Sequence, residues 1–261
     1  MVLAAAALAA TPAAPALADH HAAAGSADAF IHSVEKTHGE SAWDAHSGFT
    51  SRFKVDFGEM IQLEGQMTFD TAVGRSVMQL DNGVTIVNDG TTCWVSPPDA
   101  PLPPGMARFQ SLTWPYFLAM PFKLDDRGAK VEPAGEMPWE NGQPQESFKL
   151  TFGEGVGDAP EDWYFLFRDG EGRLVGTSYI VTYLAPKAEA EADPHAAVFG
   201  GFEEVQGAVI PTDWSFHGWT KDGGLQEQQI GSVTLTEPRF LEVDDATFAK
   251  PSPDARVDEP L

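Results

Sequence analysis

The sequence is poor in cysteine, and Cys93 is the only one among 261 residues. A single cysteine excludes a disulfide within the chain, and no cysteine follows the apolar leader described below to carry a lipid anchor. Cys93 lies beside Trp94 in a predicted strand, and no histidine near it in sequence could act as a base. We therefore interpret Cys93 as a small packed apolar residue and expect a protein without a lipid anchor.

Positive charge is also scarce. The chain has 16 basic residues against 39 acidic ones, which gives a formal net charge of −23 at pH 7. A surface with this excess of negative charge repels polyanions and favours solubility. Nucleic acid is therefore excluded as a partner, and we expect a soluble monomer.

Long apolar runs are missing beyond the start of the chain. Residues 1–18 carry no charge and end in Ala16-Leu17-Ala18, the small-x-small pattern that signal peptidase cleaves. We interpret them as an export signal removed before Asp19, followed by a flexible tail over 19–26; a flexible Ala/Pro leader is the alternative. No later stretch reaches the roughly 18 to 20 apolar residues of a membrane span. The expected location is periplasmic or secreted, with no transmembrane segment.

The motifs of common catalytic sites are absent: the chain has no G-x-S-x-G, Walker loop, C-x-x-C or dinucleotide fingerprint. Three pairs of adjacent carboxylates, Asp125-Asp126, Glu203-Glu204 and Asp244-Asp245, are the candidates for acid–base catalysis or calcium binding. Adjacent strand residues point to opposite faces, and aspartates are common in turns, so none of these pairs is assigned to a site. We expect no catalytic residue, no metal and no cofactor.

What the sequence does contain is a repeated alternation of apolar and polar residues that starts at Phe49. Phe53, Val55 and Phe57 occupy alternate positions, and polar residues lie between them, as in a strand with one buried face. The alternation resumes over 61–70, and shorter runs follow up to residue 95, separated by Asp-Asn-Gly and Asn-Asp-Gly turns. The pattern predicts an antiparallel meander with one apolar face.

A proline-rich loop and an aromatic segment interrupt the strands. Residues 97–104 include five prolines and lead into 109–122, where large apolar residues fall on most faces. Pro115 suits the first turn of a short helix, and Pro121 its end. We interpret 114–122 as a helical lid over the concave face of the sheet; the alternative is that this segment fills a closed core.

Few helices are expected elsewhere. Ser26 is a predicted N-cap of an amphipathic helix that ends near Gly39. Further strands are predicted at 147–152, 163–168, 174–184, 199–206, 209–219 and 228–235, and a last turn over 244–248 places Phe248 under the sheet. The predicted fold is mainly β (α+β), a curved antiparallel sheet or half-barrel of about ten strands with an N-terminal helix and a short helical lid. It forms a single domain over 27–250, and 251–261 is a C-terminal tail.

The order of these segments carries a family resemblance. Its residues are Phe49-Thr50, Leu63-Glu64-Gly65-Gln66-Met67, the run from Val87 to Trp94, Thr234-Leu235 and the run from Asp244 to Phe248, together with Tyr116-Phe117, Pro121-Phe122-Lys123-Leu124 and Val209-Ile210-Pro211. In this order the chain resembles the LolA/LolB-like superfamily of periplasmic lipoprotein carriers. The resemblance implies a half-barrel with a helical lid over a hydrophobic cavity for acyl chains. The carriers have an arginine-proline pair after the second strand, whereas Gly74-Arg75 here has no proline, and the chain has longer insertions around 97–108 and 185–195.

These observations together predict non-enzymatic binding of lipid, an acylated protein or another hydrophobic ligand in an apolar cavity, with lipid or lipoprotein transport as the implied role. The residues expected to line the cavity are Phe53, Phe57, Leu63, Met67, Phe69, Trp94, Trp114, Tyr116, Phe117, Met120 and Phe122. Arg75 is the candidate polar contact to the ligand. The alternatives are a secreted carboxylate hydrolase, with or without calcium, and an envelope structural or assembly protein whose core is filled.

Overall fold

A computed structural model describes residues 26–261, so the predicted export signal and most of the predicted tail lie outside the described residues. The strands are β1 (Gly48–Asp56), β2 (Gln62–Asp70), β3 (Ser76–Leu80), β4 (Thr85–Asn88), β5 (Cys93–Ser96), β6 (Ala129–Pro138), β7 (Pro144–Phe152), β8 (Trp163–Arg168), β9 (Leu174–Tyr179), β10 (His195–Val205), β11 (Ala208–Thr220), β12 (Gly224–Leu241) and β13 (Arg256–Val257). All thirteen form one sheet in the order β13-β5-β4-β3-β2-β1-β12-β11-β10-β9-β8-β7-β6. The predicted mainly β architecture is confirmed.

The helices are α1 (Ala27–His38), α2 (Glu40–Asp44), α3 (Met106–Ala119) and α4 (Lys187–Ala190), and a short 3₁₀ helix (Met120–Phe122) continues α3. Ser26 caps α1 as predicted, because its hydroxyl accepts a hydrogen bond from the Ala29 N–H at 3.1 Å. Gly39 ends α1 with a φ of 79°, a conformation that glycine adopts without strain. No helix within residues 26–261 combines the length and apolar character needed to cross a membrane.

β1 lies in the middle of the sheet, paired with β2 on one side and β12 on the other. Phe49, Phe53 and Val55 are buried, whereas Lys54 between them is exposed. This is the alternation expected of a strand with one covered face. The tight turn before β4 has Gly83 at a φ of 87°, as its Asp-Asn-Gly sequence predicts.

Four segments differ from the prediction. The lid helix begins at Met106 rather than near Pro115, which lies inside α3. β6 had been missed, and the strand predicted over 174–184 ends at Tyr179. The segment expected to be a C-terminal tail adds β13 to the edge of the sheet, where Arg256 pairs with Val95.

Apolar residues pack on both faces of the sheet. The main core lies on the concave face, beneath α1, α2 and α3. A smaller cluster lies on the opposite face, where Trp139 stacks on Phe167 with ring centroids 4.1 Å apart. The alternation within β8 explains the division, because Tyr164 and Leu166 belong to the main core whereas Phe167 belongs to the second cluster.

Candidate ligand-binding cleft

The lid, defined as α3 and the 3₁₀ helix after it (residues 106–122), is fixed on the concave face near both of its ends. Towards the N-terminal end, the Ser76 hydroxyl donates to the Ser111 carbonyl at 2.6 Å. At the C-terminal end, the Phe122 ring stacks on Trp43 of α2 with centroids 4.3 Å apart. Leu118 between these points has no exposed surface. The lid is therefore an integral part of the core along much of its length.

Space remains beside the lid, between α3 and the strands of the second half of the chain. Two adjoining chambers of about 390 Å³ and 280 Å³ lie there. Residues that line both chambers are Phe109, Thr113, Tyr116, Asp162 and Tyr164. Because they share these walls, we treat the two chambers as one cleft, whose combined size is within the range of small-molecule sites.

The larger chamber is mostly apolar. Its principal apolar walls are Phe57, Ile61, Trp114, Phe117, Tyr179, Val181 and Ile230. Met60 and Leu184, which line the same chamber, are 77% and 50% exposed. Single exposed apolar side chains are ordinary on protein surfaces, whereas apolar side chains that border one concave apolar pocket are typical of a ligand-binding groove. The entrance of the cleft therefore presents apolar surface to solvent.

Two polar groups lie where the chambers meet. Asp162 Oδ1 accepts hydrogen bonds from the Thr182 N–H at 2.6 Å and the Thr182 hydroxyl at 2.7 Å. Burial nevertheless raises the pKa of Asp162 to about 6. The Tyr116 hydroxyl is buried without a hydrogen-bond partner among the described residues, and burial raises the pKa of this phenol. A neutral phenol is a hydrogen-bond donor, but this hydroxyl has almost no accessible surface, so a ligand reaches it only after neighbouring side chains move.

The smaller chamber has charged groups along its wall. Lys123 and Asp126, which both line it, form an ion pair at 2.9 Å. Asp158, also in this wall, accepts two hydrogen bonds from the Arg108 guanidinium. These cations are already paired, so the chamber offers polar contacts rather than a free positive charge.

The structure brings together only some of the residues predicted to contact a ligand. Phe57, Trp114, Tyr116 and Phe117 line the cleft. Phe53, Met67, Phe69, Met120 and Phe122 are buried in the main core without contributing to either chamber. Leu63 is also buried in this core and borders a shallow polar depression formed with Lys54 and Asp81. These six residues support the cleft by packing.

Trp94 and Arg75 lie outside the cleft. Cys93 and Val95 are fully buried in the main core, so Trp94 between them points to the opposite face. There it lines a surface depression with Arg75 and Phe248. Arg75 donates to Asp70 at 2.8 Å and its guanidinium carbon lies 4.5 Å from the centre of the Phe248 ring. The Arg75 side chain thus holds the buried Phe248 in place.

Sequence reasoning missed several residues of the cleft: Phe109, Asp162, Tyr164 and Tyr179. Tyr164 and Tyr179 lie opposite each other on β8 and β9, with rings 5.9 Å apart. Both strands were predicted, so the alternation within them could have identified the two tyrosines as inward-facing residues. Asp162 comes directly before β8 and carried no signal of its own.

Comparison with known proteins identifies the fold. No protein-family model matches the sequence, and no curated protein matches it. Among solved structures, a LolA superfamily protein from Nitrosomonas europaea matches with a TM-score of 0.55 and 11% identity, over 87% of this chain and 99% of that one. A domain assigned to outer membrane lipoprotein sorting from Vibrio parahaemolyticus matches with a TM-score of 0.51 and 8% identity, over 85% of this chain and 97% of that one.

A DUF1329 family protein from Desulfovibrio piger also matches, with a TM-score of 0.51 and 14% identity, over 86% of this chain and 97% of that one. Identities this low establish similarity of fold alone. The chain has a LolA-like fold, as the order of its sequence segments predicted.

Proposed function

We propose that this LolA-like half-barrel binds the acyl chain of a lipid or lipoprotein in the cleft beside the lid, as a non-enzymatic carrier or binding protein of the periplasm. The observation that supports the proposal is the apolar cleft, whose larger chamber of about 390 Å³ is lined by the exposed side chains of Met60 and Leu184 among others. The lipoprotein-sorting description of one protein of similar fold agrees with this ligand class.

Burial of methylene groups supplies the binding energy. Each methylene removed from water contributes about 0.8 kcal/mol. A chain of about twelve methylenes would thus gain roughly 10 kcal/mol before the cost of association is subtracted. Trp114, Phe117 and Tyr179 provide wide aromatic surfaces for these contacts. The affinity then depends on chain length far more than on any one polar contact.

The polar end of the ligand belongs where the chambers meet. Once neighbouring side chains move to expose it, the unpartnered Tyr116 hydroxyl can donate a hydrogen bond to an ester or carboxylic oxygen there. Asp162, whose pKa is about 6, can donate a hydrogen bond when it is protonated. A ligand with an apolar tail and an uncharged or protonated polar group fits both features.

Entry does not require the whole lid to lift. The lid is anchored at Ser111 and Phe122, whereas Met60 lies in the turn between β1 and β2 and Leu184 in the segment between β9 and α4. Turns and loops open at lower free energy than a packed helix. We therefore place the entrance between these two segments.

Native mass spectrometry of protein purified without detergent from bacterial cells tests the proposal. Wild-type protein should carry adducts with the masses of fatty acids or phospholipids. Thr113→Trp, which fills the junction of the chambers, should reduce the adduct fraction by about tenfold. Thr234→Trp is the matched control, because Thr234 is exposed on β12 away from the cleft. A purely ligand-free wild-type mass, or equal adducts in Thr113→Trp, would contradict the proposal.

A further inference from the structure

Three carboxylates from three separate segments meet on the side of the lid that faces α1 and α2. Glu35 belongs to α1, Glu40 is the first residue of α2, and Asp125 follows the lid. One carboxylate oxygen of each lies within 4.8 Å of the other two. We call these three residues the carboxylate cluster. None of them lines the cleft.

Glu35 is the unusual member of the cluster. The residue is only 4% exposed, and its Oε1 atom is buried with no hydrogen-bond partner among residues 26–261. A buried carboxylate oxygen without a partner is costly unless a proton or cation compensates it. Backbone N–H groups of Leu124 and Asp125 hydrogen-bond to the Glu35 carboxylate, which leaves Oε1 as its unpartnered oxygen.

No basic side chain within residues 26–261 forms a salt bridge with the cluster, although His32 and Lys123 lie close enough to act on the pKa of Glu40 in the lowering direction. Lys123 is close in sequence to Asp125, but its ammonium group is paired with Asp126 at 2.9 Å. Within residues 26–261, neither Glu35, Glu40 nor Asp125 forms a salt bridge. The cluster therefore holds carboxylate oxygens that lack a cation.

We propose that the carboxylate cluster of Glu35, Glu40 and Asp125 binds a calcium ion. Calcium takes six to eight oxygen ligands at about 2.3–2.6 Å, so two ligand oxygens on one ion can lie about 5 Å apart. The separations in the cluster fall within this span. Waters or backbone carbonyls complete the coordination. Zinc is disfavoured because the cluster offers neither histidine nor cysteine.

The ion would join the end of the lid to the two N-terminal helices. Asp125 lies three residues beyond Phe122, whose ring stacks on Trp43 of α2. The same ion would bind Glu35 of α1 and Glu40 of α2. Calcium binding thus strengthens an anchor of the lid that aromatic packing already provides, and it is independent of whether the cleft binds acyl chains.

Thermal unfolding with calcium chloride tests the site. Wild-type protein at pH 8 should show a saturable rise in Tm of about 5–10 °C when calcium is about 100-fold above its Kd. Titration up to about 10 mM reaches this excess for a Kd of about 0.1 mM, the tight end of the range of extracellular calcium modules. Isothermal calorimetry on the same protein should give one site. Magnesium chloride at equal concentration should give a smaller shift.

The double variant E40Q/D125N should lose the calcium-dependent shift, and so should E35Q. Glu40 and Asp125 are at least partly exposed, so E40Q/D125N is expected to fold. E203Q/E204Q is the matched control, because it also removes two charges, from exposed residues of β10, and should keep the full shift. Absence of any shift in wild-type protein, or an equal shift in E40Q/D125N or in E35Q, would overturn the proposal.

Discussion

Trp43 and Phe122 stack almost parallel, with ring centroids 4.3 Å apart and an interplanar angle of 8°. Trp43 is itself fixed, because its indole N–H donates to the Thr71 carbonyl at 3.1 Å. The pair joins α2 to the C-terminal end of the lid. This contact anchors the lid close to the smaller chamber, because Ala72 and Lys123, the sequence neighbours of Thr71 and Phe122, line that chamber.

Phe122→Ala should therefore destabilise the protein strongly. The ring is 3% exposed, and its removal leaves a cavity against Trp43. Loss of a buried phenylalanine costs about 3–5 kcal/mol. Denaturant-induced unfolding measures this change. Met60→Ala serves as the control and should change the free energy of unfolding by less than about 0.5 kcal/mol, because Met60 is 77% exposed. Similar stabilities of the two variants would show that the stack does not anchor the lid.

Phe57→Ala should weaken acyl-chain binding about tenfold, since it removes roughly 1–2 kcal/mol of apolar contact. The Phe57 ring lines the larger chamber, 5.1 Å from the ring centre of Phe216. Titration with a fluorescent fatty acid gives the affinity. Phe165→Ala is the control, because it removes an equally large ring that packs against the cluster on the other face of the sheet. This variant should bind the fatty acid with the affinity of wild-type protein. An unchanged affinity in Phe57→Ala would remove this ring from the ligand site.

Gly65→Ala should disrupt the pairing of β2 with β3. A Cβ atom at Gly65 would overlap the backbone carbonyl oxygen of Gln79 and lie 2.8 Å from the Cα of Leu80. The backbone cannot move aside as a side chain can, so we expect the free energy of unfolding to fall by about 2–4 kcal/mol. Gly170→Ala is the control, because a Cβ atom there meets nothing within 4 Å. Equal stabilities would show that the strands tolerate a wider separation.

Asp162 should make stability decrease as pH rises through the weakly acidic range. Its pKa is raised from 3.8 to about 6 by burial, so between these values the folded state binds more protons than the unfolded state. The contribution of Asp162 to the free energy of unfolding is fully present below pH 3.8 and is lost as pH rises through 6. The total loss is up to about 3 kcal/mol. Asp162→Asn should remove this slope. Unfolding at pH 4 and pH 6.5 measures it, and identical slopes in the two proteins would contradict the assignment.

The first five strands could be predicted because their signals are local. Alternation identified β1 and β2, and the residues that favour positive φ identified the turns at Gly83 and Gly90. β6 was missed because Pro133 and Pro138 contradict a strand in sequence terms. The structure tolerates both prolines because β6 is at the edge of the sheet, where one side needs no partner.

The ligand site was harder to predict because core and cavity use the same apolar residues. Met67 and Phe117 are equally apolar in sequence, yet only Phe117 lines the cleft. The difference depends on where α3 lies across the sheet, and contacts between distant segments determine that position. The strand that contains Trp94 was predicted correctly. Trp94 directly follows Cys93, so the two side chains face opposite sides of the sheet, and the prediction for Trp94 did not take this alternation into account.

Photolabelling with a fatty acid that carries a diazirine on its chain tests directly whether an acyl chain occupies the cleft. After irradiation and proteolysis, mass spectrometry identifies the labelled residues. We expect labels on the walls of the cleft, in 109–117 and 179–184 and near Phe57, and we expect an excess of fatty acid without the diazirine to reduce this labelling. Labels confined to other surfaces, or cleft labels that competition does not reduce, would contradict this expectation.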